Sequence, residues 1–281
     1  MNKKYLRIAE ELVKTAEDLI FADSDYIYDP DHKKKPSGGY HKTEKGWSKV
    51  EEKKDKSISS PKVEMTDEQK KLDEMANSKM AFTRMTVAED EDTSPKTLDR
   101  LSNDENEDVR GAVANNWNTS LKTLDKLADD EDGMVRWNVA KNEKTSPKTL
   151  DKLADDEDYE VRYEVANNWN TSPKTLDKLS NDENEKIRYY VANNWNTSPK
   201  TLDKLADDED YEVRYSVVKN KKISPKTLDK LADDENEMIR WNVADHPKTL
   251  IKTLEKISKA DKTNSGIGSL ARINLYKRKK K

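Results

Sequence analysis

With 281 residues, of which 32% are hydrophobic and 39% charged, and with two Phe and no Cys, the chain lacks the apolar mass for one large central core. The missing thiols exclude a disulfide framework, a thiolate metal site and a cysteine nucleophile, and the composition suits the cytosol. A formal net charge of −4 conceals a segregation, −11 over residues 91–250 against +8 over residues 251–281.

In chain order, residues 1–22 come first. Tyr5, Ile8, Leu12, Ala16 and Leu19 fall on one face of an amphipathic helix, too charged throughout to be a signal peptide or an anchor. No apolar run elsewhere nears the roughly 18 residues of a membrane span. Residues 23–65, rich in Lys, Ser, Gly and Asp, read as a flexible linker. The helix is thus expected to be tethered, as a docking or targeting segment.

From residue 66 the chain repeats. TSPKTLDRL returns as TSLKTLDKL, TSPKTLDKL and ISPKTLDKL every 26 residues. Arg84, Arg110, Arg136, Arg162, Arg188, Arg214 and Arg240 keep that interval, as do seven valines from Val87 to Val243, so seven units are present. Each unit predicts two short helices. Ser94 before Pro95 caps and opens helix A, on which Leu98 and Leu101 share a face. A polar turn such as ADDED follows, and Asn or Asp at 106, 132, 158, 184, 210 and 236 caps helix B, whose Val109, Val113 and Ala114 form the apolar stripe. The Asn-rich NNWN segment ends helix B. Helices this short survive only by stacking on neighbouring units. Unit 1 lacks the SPKTL start, as a terminal cap does. The repeat domain spans residues 66–258, and residues 259–281 form a second cap, packing Leu270, Ile273 and Leu275 over the end before a basic finish.

The SPKTL start, paired leucines, acidic turn and VR-x-x-VA segment followed by asparagines resemble the leucine-rich variant repeat, a short relative of HEAT-type α-solenoids, over roughly two thirds of the chain. The resemblance implies an all-α, right-handed solenoid in which one helix of each pair can be 3₁₀. One arrangement in that family carries an iron–sulfur cluster on cysteines, which this chain lacks, so no cofactor is carried over.

The Arg column, with Asp104, Asp130, Asp156, Asp182, Asp208 and Asp234, reads as a structural ladder joining neighbouring units, as in HEAT-like proteins, in preference to an anion site. The position after each Arg holds Met85, Gly111, Trp137, Tyr163, Tyr189, Tyr215 and Trp241, bulk suited either to a partner-binding stripe or to packing between units. Trp117, Trp169 and Trp195 lie in the turns between units, where Glu143 and Lys221 stand elsewhere; they suit either a second contact patch or cation–π contacts with lysines. The acidic runs lack the spacing of a Ca²⁺ loop, so no metal is assigned. His32, His41 and His246 belong to no catalytic constellation, and no catalytic residue is assigned.

These features suit a non-enzymatic protein–protein interaction scaffold with an acidic, aromatic-striped surface for a partner of basic or mixed charge, and no membrane contact. The alternatives are a nucleic-acid-associated protein working through the KRKKK tail alone, or a phage virion or structural component with an N-terminal targeting helix.

Overall fold

In the computed structural model, the described residues are 65–260 and 266–280, together with the backbone of residues 40–43 and 46–49. The chain divides into two compact units, Met1–Lys62 and Val63–Lys281. In the first, β1 (Tyr40–Thr43) and β2 (Gly46–Lys49) form an antiparallel hairpin with Tyr40 opposite Lys49, inside the segment read as a linker. The amphipathic segment 1–22 and the rest of 23–65, apart from residue 65, lie outside the described residues.

The second unit contains sixteen described helices. The helices of type A are α1 (Asp67–Met75), α3 (Pro95–Leu101), α5 (Leu121–Leu127), α7 (Pro147–Leu153), α9 (Pro173–Leu179), α11 (Pro199–Leu205) and α13 (Pro225–Leu231). Those of type B are α2 (Ala81–Glu89), α4 (Glu107–Asn115), α6 (Gly133–Lys141), α8 (Tyr159–Asn167), α10 (Glu185–Asn193), α12 (Tyr211–Lys219) and α14 (Glu237–Asp245). After these seven A/B pairs come α15 (Ile251–Ala260) and α16 (Gly266–Lys279). The fold is an all-α solenoid of seven two-helix units. Both members of each pair are α-helical, so the 3₁₀ alternative is not used among the described residues.

The caps explain where each helix starts. Ser172 Oγ accepts the Thr175 N–H at 3.1 Å with Pro173 at the first helical position, and Asp210 caps α12 through the Glu212 and Val213 amides. Leu98, Leu124, Leu150, Leu176, Leu202 and Leu228 from the A helices meet Val113, Val139, Val165, Val191 and Val217 from the B helices in one continuous buried core. Successive B helices pack directly on one another, whereas Cα atoms of successive A helices stay further apart.

Three polar ladders register the units. Six of the seven arginines reach one unit forward and grip an Asp with two nitrogens: Arg110 Nε donates to Asp130 Oδ2 at 2.7 Å and Nη2 to Oδ1 at 2.9 Å. The pairs Arg84–Asp104, Arg136–Asp156, Arg162–Asp182, Arg188–Asp208 and Arg214–Asp234 repeat this geometry. The remaining nitrogen, Nη1, donates to a backbone carbonyl six residues back, Asp104 O for Arg110, and Asp130 Oδ1 also accepts the Asp132 N–H. Arg240 ends the ladder on the carbonyls of Asp234 and Glu235. The second ladder is made of asparagines: Asn168 Nδ2 donates to Ala140 O at 2.7 Å and Asn142 O at 3.1 Å, while its Oδ1 accepts the Asn170 N–H. Asn116, Asn142, Asn194 and Asn220 do the same. The third joins A helices, as Thr175 Oγ1 donates to Asp151 at 3.0 Å. No buried side-chain nitrogen or oxygen among the described residues lacks a partner.

The C-terminal closure reuses these bonds. Helix α15 supplies an eighth A helix with Leu254 and Ile257 buried, and α16 packs on α14 and α15 in the place of a B helix. Asn274 Nδ2 donates to Ala244 O at 3.0 Å, the bond the ladder asparagine of an eighth unit would have made, and Arg278 takes the carbonyls of His246 and Thr249. Ile267 and Ala271 form the buried face of α16, with Leu270 and Leu275 half-buried beside them. Ile273, expected in that face, is exposed, since two residues beyond Ala271 is about 200° around the helix.

Two stability predictions follow from these ladders. Replacing Asn168 with Ala leaves the Ala140 carbonyl buried without a donor, since the Asn142 carbonyl keeps the Thr145 N–H, and should cost about 1–3 kcal/mol, read as a lower urea midpoint. Asp130 feels burial, which pushes its carboxyl up, but the Arg110 hydrogen bonds, the Asp132 amide and the Arg110 and Arg136 charges outweigh it and hold the carboxyl below its usual range. A depressed folded-state value contributes stability above the unfolded carboxylate value of about 3.9, lost as pH falls through the folded one. The urea midpoint should therefore decline below about pH 4, and Asp130→Asn, costing about 3 kcal/mol at neutral pH, should flatten that decline.

Candidate binding face

The B helices present three rows to solvent. At their N-terminal edge stand exposed acidic and large residues, including Met134, Tyr159, Tyr211 and Met238. The Tyr159 and Tyr211 hydroxyls donate to Glu160 and Glu212 at 3.1 Å, and loss of that bond on ionisation pushes both phenols up. The sequence reading did not single these four out, because in their two columns they alternate with charged residues.

The middle row is the aromatic column. Met85, Trp137, Tyr163, Tyr189 and Tyr215 lie half-buried against the core, and Gly111 is buried. Trp241 is more open, yet its ring lies over the start of α16: a Cβ on Gly266 would come within 2.6 Å of its Cζ3. Lys141 sits 4.7 Å over the Trp137 ring and Lys219 5.5 Å over that of Tyr215. In unit 5 the column widens. Tyr190, where other units carry Ala112, Asn138, Glu164, Ser216 or Asn242, meets Tyr163 edge-on at 4.5 Å and Tyr189 at 5.2 Å. Burial, followed by the hydrogen bond to Tyr190, pushes the Tyr163 phenol well up. The YY doublet was the available signal for Tyr190.

The third row runs along the C-terminal ends of the B helices. Trp117, Trp169 and Trp195 are 59%, 69% and 61% exposed, so the core does not claim them. Their backbone is nevertheless fixed, since Asn194 Oδ1 holds the Asn196 amide and Asn196 Nδ2 donates to Trp169 O at 2.7 Å. Lys144 lies 4.9 Å over the Trp117 ring. Between Trp169 and Trp195 is a cavity of about 410 Å³ lined by Ala166, Asn167, Tyr190, Asn193 and Asn194. A neighbouring cavity of about 540 Å³ runs between Trp117 and Trp169, with Lys141, Glu143, Lys144 and Glu164 in its walls. Burial pushes the Glu164 carboxyl up, against the pull of Asn167 and Lys141.

The structure thus brings Tyr163, Tyr189, Trp169 and Trp195 into one district, with Tyr190, and leaves Trp137, Tyr215 and Trp117 under their own lysines. Among the described residues no group of three His, Cys, Asp or Glu is placed to hold a metal ion, and no helix is long and apolar enough to cross a membrane. His246 accepts the Lys248 N–H at the end of α14, and burial first, then the Lys248 and Arg278 charges, pushes its imidazole down.

No family profile and no curated protein matches the chain. Among solved structures it is similar to a leucine-rich repeat variant with a novel repetitive structural motif, at 24% identity over 73% of this chain and 80% of that one, with a TM-score of 0.56. It also aligns with an archaeal HEAT-like repeats protein from Thermococcus onnurineus NA1 (13% identity, 79% and 100% coverage, TM-score 0.33) and with a designed armadillo repeat protein (16%, 74% and 98%, 0.29). The first likeness shows the fold, a repetitive α-helical array like that of the leucine-rich repeat variant.

Burial separates the two aromatic rows, and mutation should as well. Tyr189→Ala removes a ring packed on the core and should cost about 1–3 kcal/mol in denaturant titration, whereas Trp195→Ala should stay within about 0.5 kcal/mol of the parent.

Proposed function

We propose that the chain is a non-catalytic binding scaffold whose partner, a protein of basic or mixed surface charge, docks across the aromatic rows of the B helices. The observation that carries this reading is the set of large, exposed indoles at Trp117, Trp169 and Trp195 on turns whose backbone is locked by neighbouring asparagines. Exposed aromatics with a polar edge are the residues that anchor interfaces, and a rigid stack of repeats offers an extended surface for them. The −11 charge of residues 91–250 favours a partner with cationic groups. The amphipathic segment 1–22 supplies a second handle in this reading, adding avidity through its tether.

The nucleic-acid alternative is less well supported. Of the four described cations at 277–280, three are engaged: Arg278 by backbone carbonyls, Lys279 by Glu255 at 2.8 Å and Lys280 by the Tyr276 ring at 4.5 Å, leaving Lys277 exposed.

The test is affinity capture from native lysate, with captured proteins identified, comparing the full chain with a Trp117→Ala, Trp169→Ala, Trp195→Ala triple variant. Capture of the partner should fall about tenfold or more while helicity by circular dichroism is unchanged. Undiminished capture by the triple variant, lost on deleting residues 1–65, would instead put function on the N-terminal segment.

A further inference from the structure

We infer that the slot between Trp169 and Trp195 receives an arginine or lysine side chain from an extended partner polypeptide. This rests on the binding reading above and specifies its chemistry.

The repeat provides its own comparison. Where a B-face ring has a lysine within reach in units 2, 3 and 6, that lysine covers it: Lys144 over Trp117, Lys141 over Trp137, Lys219 over Tyr215. In units 4 and 5 the rings are kept, while three of the four matching lysine positions hold asparagine. Asn167 and Asn193 stand where Lys141 and Lys219 stand, and Asn196 follows Trp169 by the same 27 residues that separate Lys144 from Trp117. Lys222 holds the matching place after Trp195, yet among the described residues no lysine lies over Trp169 or Trp195. The cavity left between those indoles is mainly apolar in its walls and, at about 410 Å³, within the usual range of ligand sites of about 300–1,000 Å³.

Chemistry selects the occupant. Indole faces are the strongest aromatic partners of a cation, and an apolar wall suits the methylene stem behind the charge. A guanidinium, planar and weakly hydrated, stacks on rings better than an ammonium, so arginine should be preferred. At the rim, the Asn193 side-chain amide is exposed and makes no hydrogen bond to any described residue. A primary amide offers both donor and acceptor, the complement of a peptide group in an extended strand. The acidic solenoid supplies the long-range attraction.

The experiment uses the full chain labelled with ¹⁵N at its tryptophans, titrated with acetylated, amidated tetra-arginine and separately with tetra-citrulline, its neutral isostere. The indole signals of Trp169 and Trp195, assigned from Trp169→Phe and Trp195→Phe variants, should shift saturably with tetra-arginine, less with tetralysine, and not with tetra-citrulline, while the Trp117 and Trp137 signals stay in place. Asn196→Lys restores the lysine that covers Trp117 and should weaken tetra-arginine binding roughly three- to thirtyfold. That variant should fold normally, because Lys144 already occupies the equivalent position over Trp117, and Lys222 and Lys248 stand there in later turns. Equal shifts with tetra-citrulline, shifts spread over all indoles, or no shift at millimolar peptide would overturn the inference. If tetra-arginine fails while the triple tryptophan variant still loses its partner, the scaffold reading stands without this chemistry; a partner retained by that variant removes the basis of both.

Discussion

The structure depends on one constraint: each unit buries polar groups that only the next unit can satisfy. An Arg–Asp pair taken out of water is costly unless every nitrogen and oxygen finds a partner. Here the Arg110 Nη1 bond to Asp104 O and the Asp132 amide on Asp130 complete the set, so the pair specifies register without leaving an orphan. The asparagine ladder adds a second constraint of the same kind, closing carbonyls at the end of each B helix that no residue of that unit reaches. A slip of one residue would break both ladders and misplace every buried Leu and Val. That is the physical reason the 26-residue interval admits no insertion over seven units.

Such a lattice has to end somewhere. At the C-terminal end Arg240 meets no further Asp among the described residues, and Ala260 stands at the place where the ladder would put one. Helix α16 closes the array by imitating a unit in a different sequence, Asn274 taking the Ala244 carbonyl and Arg278 the turn that follows. The basic finish of the chain is accordingly part of the closure. Arg278 spends its charge on backbone oxygens, which a sequence-level reading of KRKKK as a free cationic tail does not anticipate.

Much of this was legible in the sequence because the repeat makes seven observations of each position. The period, the Ser-Pro and Asn/Asp caps, the Leu and Val core and the Arg–Asp pairing all recur as nearly constant columns, and each has one physical explanation. Asn116 and its equivalents were visible too, but an asparagine after a helix reads locally as a stop signal, and its bonds to carbonyls 26 and 28 residues back exist only once units are stacked. The columns that vary gave less. Aromatic identity alone does not separate Tyr189, which leans on the core, from Trp195, which does not; the difference is that Tyr189 lies within helix α10 and Trp195 on the turn beyond its end. Trp241 shows the limit well, since its environment is made by Gly266, a residue outside the repeat.

The division between invariant and variable columns also bears on why a binding slot belongs where it does. Stacking uses up Leu, Val, Arg, Asp, Asn and Thr, leaving the turn tryptophan and the last helical position of each B helix free to change without cost to the fold. Units 4 and 5 lie in the middle of the seven, each braced on both faces, whereas terminal units of a one-dimensional array fray first. A ring held out on a turn at the centre, with its backbone fixed by Asn194 and Asn196, loses little further freedom when a partner arrives. Association is weakened chiefly by such losses, so preorganisation at this site converts exposed indole area into affinity more efficiently than the same residue at either end of the stack.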